Sequence, residues 1–188
     1  MTLVLLTPIG LDAGCWEGMA LAHDSVAKHT FPGFGGRERA REQPTMASLA
    51  DEVAASYEPP LDLVGVSLGG MVAQHVTIRH QARVRSLMVC CTGANADPAT
   101  MHARAEAAER DGMAGVLQET LERWFTPGFL SSQPEHSGVA YARRTLLKRE
   151  VLPEHVAAAV AALTSGDLTL TTGLHIPVDS GVAAAFLR

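Results

Sequence analysis

Ser67 lies in the stretch Leu63-Val64-Gly65-Val66-Ser67-Leu68-Gly69-Gly70, a lone hydroxyl with a glycine two residues away on either side. A serine hydroxyl in this setting can act as a nucleophile toward an acyl carbon, provided a base takes its proton and donors hold the oxyanion. The surrounding pattern supplies the frame. Leu61 to Val66 follows Pro59-Pro60 and reads as a short buried strand, while Met71 to Ile78 reads as a helix with apolar residues at 71, 72, 76 and 78. Strand, Gly-x-Ser-x-Gly and helix together are the context of a nucleophile elbow, a turn so sharp that Gly65 and Gly69 must be small. Ser67 would then stand at a helix N-terminus, where partial positive charge favours an anion. The competing reading is a glycine-rich turn with an idle serine.

The partners of such a serine must come from the same edge of the sheet. Leu68 opens the helix and offers a free backbone N–H. In the loop Pro8-Ile9-Gly10 after the first strand, Pro8 has no N–H, which makes Ile9 the second candidate donor. Of the eight histidines, His75 lies roughly 12 Å down the helix at 1.5 Å per residue, and His80 farther still. His29 ends a strand, where a histidine is more often structural. His175, in Gly173-Leu174-His175, follows the last strand at the edge where Ser67 sits and is a candidate base, the alternative being an ordinary loop histidine. The acid is less defined. Asp62 and Asp167 lie at the wrong ends of their strands, Asp167 roughly 15 Å from His175 by strand rise. Asp179 fits a helix cap equally well. Asp97 follows a strand at the correct edge but also reads as the cap of a helix opening at Pro98.

These residues are positioned by an alternation of strands and helices. Strands are predicted at Thr2 to Thr7, Ser25 to Thr30, Leu61 to Val66, Val84 to Cys91 and Leu168 to Thr172. Helices are predicted at Trp16 to His23, from Ser48, whose spacing to Asp51 resembles a capping box, to about Tyr57, and through the elbow to about His80. This pattern predicts an α/β fold, a doubly wound and mostly parallel sheet of about five strands with active residues at the strands' C-terminal ends. From 97 to 164 the chain turns helical, broken at Trp124-Phe125-Thr126-Pro127-Gly128 and resumed at Pro153 to Leu163. We read it as a helical lid within a single domain of residues 1–188.

The bulk properties narrow the function class. With 47% hydrophobic and 19% charged residues, the composition is that of an ordinary globule. A formal charge of −5 and the lack of any Lys/Arg run argue against nucleic acid or an anionic membrane as partner. The apolar run Leu3 to Leu6 is too short for a signal or membrane helix. Three cysteines, Cys15, Cys90 and Cys91, form no metal spacing and suit reduced thiols in the cytoplasm. No metal is expected, because the histidines and carboxylates show no ligand spacing. A Gly-x-Gly-x-x-Gly reading from Gly33 meets Glu38 in place of its third glycine, and no Gly-Lys-Ser/Thr occurs. Trp16, Trp124, Phe125 and the methionines read as packing residues.

The chain resembles the α/β-hydrolase superfamily, and within it the 3-oxoadipate enol-lactonase group. The resemblance rests on Thr7-Pro8-Ile9-Gly10 with Trp16, similar to the oxyanion loop, on Phe31-Pro32-Gly33-Phe34-Gly35-Gly36, and on Gly65 to Gln74. It extends to Arg123 to Phe129 in the lid and to Gly173-Leu174-His175-Ile176-Pro177 before the last helix, Val182 to Leu187. It implies a cofactor-independent serine hydrolase acting on a small carboxylic ester or lactone, with Ser67 as nucleophile and His175 as base. Two departures stand out. The leading hairpin is absent, and the lid runs almost directly into the final strand, so that the strand-helix unit carrying the family's acid is missing. That gap motivates one alternative, a non-catalytic or impaired protein on the same fold; a carbon–carbon bond hydrolase or lyase is another, because fold alone does not settle the reaction.

Overall fold

The computed structural model describes residues 1–19, 21, 23–124 and 153–164. The calls at Phe125 to Gly128, Asp167, Leu168 to Thr172, His175, Asp179 and Val182 to Leu187 lie outside them. The chain divides into two compact units, the first made of Met1–Asn95 with Ala157–Thr172, the second of Ala96–Val156 with Gly173–Arg188.

The first unit holds the sheet. Strands β1 (Thr2–Leu6), β2 (Val26–His29), β3 (Leu61–Val66) and β4 (Val84–Cys90) are all parallel, in the order β2-β1-β3-β4. Strands β1 and β3 are interior and almost wholly buried, which is why both read as continuous apolar runs without alternation. The chain leaves β1 toward β2 on one side and later places β3 on the other. The point where the winding reverses therefore lies between the C-terminal ends of β1 and β3, the position where open α/β sheets bind ligands.

Helix α1 (Met46–Ser56) joins β2 to β3, and α2 (Leu68–Arg79) joins β3 to β4. Leu49, Ala50, Val53 and Ala54 of α1 pack with Val72, Ala73 and Val76 of α2 over Val4, Leu6, Leu61 and Leu63. Both crossovers run the same way across the sheet, and the right-handed rule puts their helices on one face. Thr45, ahead of the expected start, is the N-cap of α1. Its side chain accepts from Ser48 N at 3.0 Å while Ser48 Oγ accepts from Thr45 N at 2.9 Å.

Of the helix expected over Trp16 to His23, none of the described residues is α-helical. A short 3-10 helix, Ala13–Trp16, ends where that helix is expected to begin. Gly18 then turns at φ +77°, and His23 is used in a tertiary contact with Asp62. Four strands are described, and the fifth expected strand falls outside the described residues. Strand β4 is the least buried, with Leu87 and Val89 exposed.

In the second unit, α3 (Pro98–Trp124) opens at the expected proline and is interrupted at Gly112, φ +68° and ψ −167°, a conformation open to glycine alone. Helix α4 (Pro153–Thr164) runs as expected; its first turn belongs to the second unit and its residues from Ala157 onward to the first. No described helix is long and apolar enough to cross a membrane.

Candidate active site

Ser67 is the single residue between the end of β3 and the start of α2, with φ 53° and ψ −116°. Residues with a side chain rarely adopt positive φ, so the surroundings must hold this one. Its peptide groups are fastened on both sides. Ser67 N donates to Cys90 O at 3.1 Å, and Ser67 O accepts from Met71 N at 3.1 Å and from the Thr92 hydroxyl at 2.8 Å. The Ser67 side chain makes no capping bond to the helix it precedes, and the residue is half-buried.

Three glycines make the turn sterically feasible. A Cβ at Gly65 would collide with the Gly69 carbonyl, and one at Gly69 with the Leu6 carbonyl, 2.7 Å from Thr7 O as well. A Cβ at Gly70 would strike the Thr92 methyl. The start of α2 is thus pressed onto the end of β1 on one side and onto Thr92 on the other. Three glycines in six residues answer three separate close approaches.

The loop carrying Ile9 leaves β1 at this end of the sheet, where Leu6 is the register partner of Gly65. Ile9 is exposed, and Gly10 turns at φ +81°. The loop is anchored farther along: the Asp12 carboxylate caps Gly14 N at 2.8 Å and Ala13 N donates to the Thr30 hydroxyl at 2.8 Å. Gly35, φ +55°, has no room for a Cβ because Asp12 occupies that space. The turns following β1 and β2 therefore lock together. Leu68 is the first residue of α2, whose opening N–H groups have no partner within the helix.

The structure brings Ser67, Leu68 and the Ile9 loop to one end of the sheet; His175 lies outside the described residues. Asp97 belongs to the second unit and caps α3, accepting from Thr100 N at 3.0 Å and from the Thr100 hydroxyl. Those two bonds hold its carboxyl below the ordinary range. His29 is buried, with Nδ1 3.0 Å from the Tyr57 hydroxyl and its ring edge-on to Phe31 and Tyr57. Burial pushes its pKa down, ahead of the opposing pull of Glu52. His80 Nε2 lies 2.7 Å from Asp51, which also pairs with Arg79; these bonds lower Asp51 to about 2. Asp62 sits at the N-terminal end of β3, at the opposite end of that strand from Ser67. Among the described residues no three His, Cys, Asp or Glu side chains gather as a metal ion would require. The sequence reading did not single out Thr92.

The model of a family described as the alpha/beta hydrolase family matches residues 3–182. The chain belongs to the α/β-hydrolase family. Among α/β-hydrolases similar to it, a pimeloyl-[acyl-carrier protein] methyl ester esterase of Aeromonas hydrophila is 30% identical over 172 residues, 87% of this chain and 65% of that protein. A 3-oxoadipate enol-lactonase 2 of Acinetobacter baylyi is 33% identical over 78 residues, covering 41% of this chain and 29% of the relative. The solved enol-lactonase of Burkholderia xenovorans superposes with a TM-score of 0.62 at 25% identity, over 71% of this chain and 55% of that one. The chain thus spans about two thirds of the length of the esterase and about half that of the solved enol-lactonase.

Proposed function

We propose that the chain is a cofactor-independent serine hydrolase that opens a small carboxylic ester or lactone through an acyl-enzyme. The observation that carries this reading is the backbone of Ser67, held at φ 53° between a strand and a helix by glycines that leave no spare space. Such strain persists where the surroundings over-determine it, and it clusters at reactive sites. Two relatives, an ester esterase and an enol-lactonase by name, agree with the substrate class.

In this mechanism His175 takes the Ser67 proton as Oγ attacks the carbonyl carbon. The resulting oxyanion is held by the N–H groups of Leu68 and Ile9. Collapse breaks the ester C–O bond, and the leaving oxygen takes the proton from His175. A water activated by the same imidazole then attacks the acyl carbon, releasing the acid and restoring Ser67. The segment 97–164 acts as the lid that sets substrate size, and the reaction runs in the cytoplasm.

A second reading, an impaired enzyme on this fold, is favoured by one observation: the Asp97 carboxylate is already engaged as the cap of α3. An imidazole without an acid to orient it loses on the order of 10⁴ in turnover in the serine protease precedent.

The test is covalent capture by a fluorophosphonate, located by peptide mass. One adduct on Ser67, absent from Ser67→Ala, is expected. An unlabelled wild-type chain, beside a known serine hydrolase that labels in the same tube, overturns the reading. A chain that labels yet turns over p-nitrophenyl acetate no faster than Ser67→Ala supports the impaired form.

A further inference from the structure

The end of β4 and the residue two positions beyond it bond to the main chain of Ser67 on both sides. Cys90 O accepts from Ser67 N at 3.1 Å, and two residues on the Thr92 hydroxyl donates to Ser67 O at 2.8 Å. The residue between them, Cys91, is one of two non-glycine residues with positive φ among the described residues, at 50°; the other is Ser67 itself. A left-handed residue reverses the local chain direction, so the segment that receives the Ser67 N–H at Cys90 returns its next side chain to the Ser67 carbonyl. The two strained residues are linked through these bonds.

The rest of Thr92 fits the same role. Its methyl fills the space where a Gly70 Cβ would be, so it also sets how closely α2 approaches β4. Gln74 Nε2 adds a second tie, donating to Gly70 O and Gly93 O at 3.2 Å each. The Ser67 carbonyl belongs to the peptide whose nitrogen is Leu68 N. Fixing that carbonyl fixes the plane of the peptide and hence the direction of the Leu68 N–H.

We propose that Thr92 is a positioning residue: its hydroxyl, donated to the Ser67 carbonyl, orients the Ser67–Leu68 peptide so that the Leu68 N–H points at a developing oxyanion. The assignment rests on the serine-hydrolase reading and deepens it. In this role Thr92 acts through the main chain, by its bond to the Ser67 carbonyl. Its loss slows acyl transfer without weakening binding, because an oxyanion donor works in the transition state and not in the ground state.

Two replacements separate the hydroxyl from the packing. Thr92→Val keeps the branched shape and removes the donor; Thr92→Ser keeps the donor and removes the methyl. Each is compared with wild type by the second-order rate of fluorophosphonate labelling at Ser67, by kcat and KM on p-nitrophenyl acetate, and by thermal melting. Thr92→Val is expected to label about five- to tenfold more slowly, the size of one hydrogen bond, and to lose kcat by a similar factor with KM nearly unchanged. Thr92→Ser is expected to regain most of the labelling rate even where its melting temperature is the lower of the two. If Thr92→Val labels at the wild-type rate, or if labelling follows melting temperature across the pair, Thr92 is structural only and the inference is overturned. A wild-type chain that does not label overturns the serine-hydrolase reading itself, a separate outcome that takes the inference with it.

Discussion

At Gly69 a single methyl group is more than the fold can hold. The Leu6 carbonyl occupies the place where a Cβ would go, and backbone atoms cannot rotate away as a flexible side chain can. Gly69→Ala must therefore push the start of α2 off the end of β1. Overpacking of this kind costs about 1–3 kcal/mol, and urea denaturation should show a loss in that range. Ser67 and its glycines were legible in the sequence because their constraint is local: residue types within six positions report it. Thr92 was not. Its contact with Ser67 spans 25 positions and depends on a left-handed cysteine, for which no residue-type signal exists. His29 illustrates a middle case. Its position at a strand end was readable, whereas its burial against Phe31 and Tyr57 emerges only from packing.

Among the elements, the interior strands were the most readable, because burial on both faces leaves an unbroken apolar run. Helix starts were less so. Ser48 looked like the opening of α1, but Thr45 takes that place and Ser48 serves as its reciprocal partner. Both residues are competent hydroxyl caps, so residue type alone does not order them. Thr45→Ala removes the cap acceptor and should cost about 1 kcal/mol, readable as a lower urea midpoint with an unchanged slope. The helix expected after Trp16 failed for a tertiary reason. Gly18 turns the chain, and the His23 ring is drawn to Asp62 at 3.4 Å, a contact that no periodicity announces. The start of α3 was legible from its own chemistry, an aspartate followed by a proline. Its break at Gly112 was not among the expectations.

On the scale of the whole molecule, the sheet is tied at the end opposite Ser67 by a buried carboxylate. Asp62 is fully buried on β3 and accepts from Arg85, from the Ser86 hydroxyl at 2.6 Å and from the side of His23. The register between β3 and β4 slips after Leu61, so Asp62 faces Ser86 and Arg85 is the extra residue whose fork meets the carboxylate. Burial alone would raise the Asp62 pKa, but the hydrogen bonds from Arg85 and Ser86 outweigh it and leave the carboxyl below its ordinary value. A group depressed in the folded state contributes stability above its unfolded pKa, about 3.9 for aspartate, and loses it as pH falls through the folded value. Asp62→Asn should accordingly lower stability by roughly 1.5–3 kcal/mol at neutral pH. The difference from wild type should narrow steadily below about pH 4, as followed by urea unfolding at a series of pH values. The parallel order of strands was foreseeable from the alternation of elements. This cross-strand charge was not, since Asp62 in isolation reads only as a carboxylate at the wrong end.

The bonds that fix residue 67 all run through its amide and carbonyl, to Cys90, Met71 and Thr92. None of them depends on the identity of the group attached to its α-carbon. The scaffold therefore works as a socket, and a thiol or a carboxylate could be installed there by changing one codon while the mount stays as it is. In such an architecture the reagent can change independently of the frame that presents it, which is one physical route by which a single fold comes to host unrelated reactions.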